Sequence, residues 1–217
     1  MNRLEVFLRF RLVSGVHISG ERAALWIDKA LVLDWHSNRQ PILPATSLKG
    51  WLRENAERAL RGLGAMACDG SSPATVCGRC PVCHVFGHPR GKSPLRFRDA
   101  VLRGAWQDVR MNVALSRYRK TAYEERLFST EVAWHPEFQG EVKGLFPTTG
   151  DAKIAAALLW LGARMGFAIG AARSRGLGWL EWTEFQASVD GQALSTDELR
   201  HVLETQLEAW KGAEVSA

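Results

Sequence analysis

Cys68, Cys77, Cys80 and Cys83 fall within sixteen positions of one another, in "CDGSSPATVCGRCPVCHVFGH", with His84 and His88 close behind. Two overlapping C-x-x-C steps let thiolates converge on one ion, and a further thiolate nine residues upstream can close a tetrahedral shell. Four protein ligands leave no position for water, so Zn2+ held here would be structural. An iron–sulfur cluster is the alternative, because C-x-x-C-x-x-C occurs there too. His84 or His88 could replace Cys68, although four sulfurs are the simplest set. The loop beyond carries Arg90, Lys92, Arg96 and Arg98 with little apolar content, so the metal would have to give it shape.

A second cluster is "GAARSRGLG", Gly170 to Gly178. Glycine lets backbone approach a ligand closely and take positive φ. The planar guanidinium forks of Arg173 and Arg175 match phosphate. Earlier, "PATSLKGWLRENAERAL" places Lys49 and Arg53 four apart on one side of an expected helix. Thr46 or Ser47 can cap that helix, whose first turn offers free N–H donors to an anion. Alone, that pair is a solvated helix face; beside the Gly/Arg stretch it points to a phosphate-rich strand. Between residues 110 and 135, Arg110, Arg117, Arg119, Lys120 and Arg126 alternate with Tyr118, Tyr123 and Phe128. That mixture suits a wedge between stacked bases or a grip on a single strand, and equally a solvated hairpin that packs on a neighbouring subunit.

The elements that must position these residues follow from periodicity. Leu4, Val6, Leu8, Phe10 and Leu12 alternate with mostly charged residues, which predicts a strand ending at the "SGVHISG" turn. Residues 21–43 read as an irregular loop and 61–99 as aperiodic loops around the metal. "EFQGEVKGLFP" reads as a strand, "DAKIAAALLWLGARMG" as a helix, and about Leu177 to Val189 as another strand. "STDELRHVLETQLEAWKG" has a Ser195–Glu198 capping box and a stripe of Leu199, Val202, Leu203, Gln206, Leu207 and Trp210 that should dock on its own domain. A ferredoxin-like β-α-β-β-α-β core accommodates this order if one strand is hidden inside the insertion.

Composition sets outer limits. The chain has 217 residues, 46% hydrophobic and 24% charged, as in an ordinary globular protein. A net charge of +5 and a pI near 9.3 are compatible with a polyanionic partner. "MNRLEVFLRF" lacks an apolar h-region, so no signal peptide is expected, and no run approaches membrane-spanning length.

In this order, "GVHISG", "PILPATSLKGWLR" and "GAARSRGLG" resemble the motif series of the RAMP superfamily of CRISPR-associated proteins, in particular the repeated backbone subunit of type III effector complexes. "CPVCHVFG" is similar to the C-x-x-C-x-x-F-G stretch of the zinc-bearing members, and "ALSRYRKTAYEERLFSTEVAWHPEFQGEV" to their thumb. Ala45 and Ser19 stand where the family usually has glycine, and Arg117–Lys120 replace its D-R-R-T.

The resemblance implies an α+β fold, a ferredoxin-like/RRM-like core with a zinc-binding insertion (61–100), a thumb-like β-hairpin (105–137) and a C-terminal amphipathic helix (195–212), all in one domain, 1–217. It implies contact with a guide RNA (crRNA) through His17, Thr46, Ser47, Lys49, Arg53, Arg117, Arg119, Lys120, Gly170, Arg173, Ser174, Arg175 and Gly176, with His17 stacking on a base or bonding to a ribose. Structural zinc would sit on Cys68, Cys77, Cys80 and Cys83. The further partners would be complementary target RNA, copies of the same chain and other effector subunits, in prokaryotic cytoplasm and away from membrane. Asp28, with Asp34 in support, would hold Mg2+ for cutting target RNA. The same resemblance admits a catalytically inactive scaffold or a guide-processing endoribonuclease. A zinc-ribbon DNA-binding protein would leave "PATSLKGWLR" and "GAARSRGLG" unexplained.

Overall fold

The computed structural model describes residues 1–20, 25–36 and 39–211. In chain order the strands are β1 (Asn2–Leu12), β2 (Ile42–Leu43), β3 (Leu95–Phe97), β4 (Ala100–Val101), β5 (Trp106–Leu115), β6 (Ala122–Trp134), β7 (Glu137–Phe146), β8 (Leu180–Val189) and β9 (Gln192–Leu194). The helices are α1 (Ala45–Gly62), α2 (Pro81–Phe86), α3 (Thr149–Met165) and α4 (Thr196–Lys211). Among the described residues no helix is long and apolar enough to cross a membrane.

The main sheet runs β3-β7-β1-β8-β9, and every pairing in it is antiparallel. Its first four strands, with α1 and α3 as crossovers, form the expected ferredoxin-like order. The hidden strand is β3, only three residues long inside the insertion, registered by Leu95 opposite Gly144. The loops expected over 61–99 therefore contain α2 and β3, with the two residues of β4 just beyond them. These pieces are too short to show a period, and tertiary pairing rather than propensity creates them.

β1 alternates as its sequence dictates: Leu4, Val6, Leu8, Phe10 and Leu12 are all at most 2% exposed and face α1 and α3. The opposite face is a lattice of ion pairs, with Arg9 to Glu184 at 3.0 Å, Lys143 to Glu141 at 2.9 Å and Lys143 to Glu5 at 3.4 Å. An RRM stacks bases on aromatic residues of its open sheet face. Here the charges are already mutually paired and Phe7 is the aromatic on that side of β1, so the likeness to an RRM is one of fold. A nucleic-acid site belongs elsewhere.

The two crossover helices meet closely. α3 presents Ala152, Ala155, Ala156 and Gly162, all buried, and a Cβ at Gly162 would run into the carbonyl of Leu52 on α1. The Ser195–Glu198 capping box forms as expected, with Ser195 N donating to Glu198 Oε2 at 2.9 Å and Glu198 N to Ser195 Oγ at 3.1 Å. The apolar stripe of α4 docks on its own domain, led by Leu199. The start of α1 differs from expectation. Pro44 occupies the N-cap, no side chain there caps, and Thr46 and Ser47 lie inside the first turn. Asp99 Oδ1 accepts from Ala45 N at 2.6 Å instead, so a distant carboxylate meets the positive end of the helix. The strand expected from about Leu177 begins at Leu180, because the Gly/Arg turn occupies the residues before it.

Gly162→Ala should lower stability by about 1–3 kcal/mol, since a methyl there forces backbone apart rather than displacing a flexible side chain. Chemical denaturation of the purified chain checks this, with Gly50→Ala on the open side of α1 expected to be neutral or stabilising.

Candidate nucleic-acid interface and metal centre

The Gly/Arg turn is built against the turn that follows β1. Gly170 has φ +86, and a Cβ there would lie 2.5 Å from the carbonyl oxygen of His17. That close approach lets Ala171 N donate to the same carbonyl at 2.8 Å. Ile169 N bonds to Gly178 O at 2.8 Å, and Gly178 N to Gly15 O at 2.8 Å, which closes the loop at its base. Between them Arg173–Arg175 form one 3-10 turn flanked by the left-handed residues Ala172 and Gly176. Arg173 reaches back to Glu54 on α1, with Nη1 to Oε2 at 3.4 Å. The late arginine turn, the early histidine turn and α1 thus adjoin one another.

His17 itself is 1% exposed, with Nδ1 2.7 Å from Glu131 O and Nε2 3.0 Å from Ser19 Oγ. Stacking on a base, as the sequence suggested, is not available to a ring so enclosed. His17 instead ties the base of β6 to the Gly/Arg turn.

The third wall is the thumb-like ribbon, β5 paired with β6 in a separate two-stranded sheet. Lys29 bridges to Thr130 on the outer edge of β6, and Asp28 is fixed there too. Asp28 Oδ2 accepts from Ser129 N at 2.7 Å and from Ser129 Oγ at 2.9 Å. The Ser129 amide, then its hydroxyl, holds the Asp28 carboxyl below the usual carboxylate value. Beside it, Glu131 Oε2 accepts from Leu31 N at 2.9 Å.

These elements enclose an open cavity of about 350 Å³, lined by His17, Ser19, Asp28, Lys29, Arg110, Asn112, Thr130 and Arg175 among others. One carboxylate and three cationic side chains face the same space, an arrangement that can hold a phosphodiester and position a hydrated cation beside it. Arg110 and Asn112 reach it because alternate residues of β5 share a face, and Asn112 Nδ2 donates to Thr130 Oγ1 at 3.1 Å. Asn112, Thr130 and Ser129 were not candidates on sequence. The alternation of Arg110 and Asn112 was the one signal that could have found any of them.

Other predicted residues lie elsewhere. Asp34 does not line the cavity; it sits where Leu33 bridges Pro41. Lys49 is half-buried, and burial, then the nearby Arg53 charge, lowers its amine below the ordinary lysine value. Arg53 is turned to the cysteine cluster, where its side chain is 17% exposed and paired with Glu57. That placement corrects the expectation of a free phosphate contact. Arg117, Arg119 and Lys120 are exposed at the ribbon tip, in the turn beyond the end of β5, whereas Arg110 lies midway along that strand. A ligand touching both must run along the ribbon.

The four cysteine sulfurs lie within 4.8 Å of one another. Cys68 Sγ is 3.6 Å from Cys80 Sγ and 3.4 Å from Cys83 Sγ. A disulfide needs about 2.05 Å, whereas zinc–sulfur bonds of about 2.3 Å put tetrahedral sulfurs roughly 3.8 Å apart. The donor set fits a metal. His84 is exposed, and His88 lies against Gly78 and Gly91 outside the cluster. Burial pushes the Cys77 thiol up, but the Arg79 and Cys80 amides aimed at its sulfur bring it down to about 7. Burial raises Cys80 and Cys83.

A profile of the RAMP superfamily matches residues 25–181. The chain belongs to the RAMP superfamily. No curated protein sequence matches it. Among solved structures, a chain of a type III-B Cmr-beta complex bound to cognate target RNA is similar, with a TM-score of 0.61 at 14% identity. The match covers 86% of this chain and 61% of that one, so this RAMP protein spans under two thirds of its neighbour's length.

Zinc analysis of the purified RAMP chain should return a single equivalent. Cys80→Ser should lose it and lower stability by at least about 2 kcal/mol, because β3 and α2 depend on the insertion keeping its shape.

Proposed function

We propose that this chain is a guide-RNA-binding backbone subunit of a type III CRISPR ribonucleoprotein. In this reading the cavity between the His17 turn, Asp28 and Arg175 grips a ribonucleic strand by its phosphates. Arg173, Arg175 and the first turn of α1, with Thr46, Ser47 and Lys49, contact the guide backbone. The basic ribbon tip, Arg117 to Lys120, reaches along the guide–target duplex towards a neighbouring copy or another effector subunit. The observation that carries this reading is the convergence of Lys29, Arg110 and Arg175 on one cavity, together with membership of the family.

Such contacts recognise charge and shape, and base pairing supplies sequence. Zinc on the four cysteines would be structural. Asp28 stands at the cavity with a carboxylate that stays ionised at neutral pH, and it is the residue to hold Mg2+ against a scissile phosphate and cut complementary RNA. In the second reading, favoured by the bonds from Ser129 to Asp28 Oδ2, Asp28 only fastens its loop to β6 and the subunit is an inactive scaffold.

The two part in one assay. The chain is assembled with guide RNA and its partner subunits, then given labelled complementary RNA and Mg2+. Cuts at regular intervals that disappear in Asp28→Ala, with target affinity unchanged, support the cutting subunit. Tight binding without cuts leaves the scaffold. Cleavage of precursor repeats without target would overturn both.

The acid limb of any cutting activity should lie below the ordinary carboxylate value of about 4. The Ser129 bonds favour the charged form, so Asp28 gains its proton only as pH falls below that value. Ser129→Ala should move the limb upward. Guide binding should weaken as salt rises, and Arg175→Ala should make the log–log slope shallower by about 0.7, the share of one phosphate on a single strand. An unchanged slope removes Arg175 from the interface.

A further inference from the structure

Arg53 and Glu57 are four residues apart on α1 and form an ion pair at 2.8 Å, with side chains 17% and 5% exposed. A buried pair is costly unless its remaining hydrogen-bonding capacity is used. Here the insertion uses it. Arg53 Nη1 donates to Gly87 O at 2.9 Å, just beyond α2, and Nη2 lies 3.6 Å from Cys83 Sγ. Glu57 Oε2 accepts from Gly70 N at 3.1 Å, just beyond Cys68. Gly70 has no room for a side chain, since a Cβ would lie 2.5 Å from Glu57 Oε1 and 2.9 Å from Arg53 Nε. Both ends of the cysteine-bearing segment are therefore fastened to one ion pair on the core.

A divalent metal with four thiolates is a dianion, and a buried dianion needs donors and positive charge around it. Backbone amides supply part of this: Arg79 N and Cys80 N point at Cys77 Sγ, and Cys83 N at Cys80 Sγ. A full cation comes from Arg53.

We propose that Arg53 is the counter-cation of the metal–thiolate centre, held on Cys83 by Glu57, and that it couples the bound metal to α1. Arg53 is then a positioning residue for the metal and not a contact to RNA. The proposal rests on the four cysteines holding a metal, and it is independent of whether the cavity binds RNA.

The test uses the full chain loaded with Zn2+ or Co2+. Arg53→Met should weaken zinc about 10- to 100-fold in chelator competition, the usual effect of losing an outer-sphere partner. In the Co2+ form, the sulfur-to-metal charge-transfer band should move to longer wavelength, because a thiolate that loses a donor is easier to oxidise. Arg53→Lys keeps the cation and most of the stem, so it should recover much of both signals. Should Arg53→Met fail to fold, Glu57→Gln carries the test, with a smaller loss and shift expected because Arg53 is no longer held by a carboxylate. Wild-type affinity and band position in Arg53→Met, or in Glu57→Gln where Arg53→Met does not fold, overturn the proposal, whatever happens to RNA binding. A wild-type chain that takes up neither Zn2+ nor Co2+ overturns it together with the metal reading, and leaves the cavity's reading standing.

Discussion

The carbonyl oxygen of His17 is the point through which the site is assembled. It accepts from Ala171, and it does so only because Gly170 has no side chain to hold the two backbones apart. The histidine ring, on the other side of the same residue, bonds to the carbonyl of Glu131 on the ribbon. Two stretches, each more than a hundred residues downstream of His17, are brought together at that residue, and the cationic side chains around it follow from that. A buried polar contact of this kind costs its full desolvation when broken, so the arrangement is all or none rather than gradual.

The cysteine cluster bears on a neighbouring face of the same helix, α1. Its insertion donates β3 to the main sheet, so the cysteines do more than hold a surface loop. α1 touches both centres, with Glu54 reaching Arg173 and Glu57 reaching the insertion. One helix thus sets the distance between the arginine turn and the cysteine cluster.

Much of this was legible in the residues. β1 declared itself by alternation, α4 by its capping box, and the metal site by two C-x-x-C steps. What stayed hidden was fixed by partners distant in sequence. β3 is three residues in a basic loop and becomes a strand only beside β7. Arg53, read as a phosphate contact from its spacing to Lys49, turns the other way because Cys83 and Gly87 offer it acceptors. His17 looked like an exposed ligand in a glycine-flanked turn, yet the ribbon buries it. Spacing along a helix reveals which residues share a side, and what that side faces is decided by the rest of the chain.

The position of β1 in the sheet bears on how the protein is made. It leaves the ribosome well before its two neighbours, β7 and β8, which are encoded far downstream. Until β7 has emerged, its row of leucines and phenylalanine has no sheet to join, and its second edge stays open to pairing with other chains until β8 follows. Folding so dominated by distant pairings is slow. A nascent chain of this kind gains from a chaperone that shields the strand until its late partners emerge.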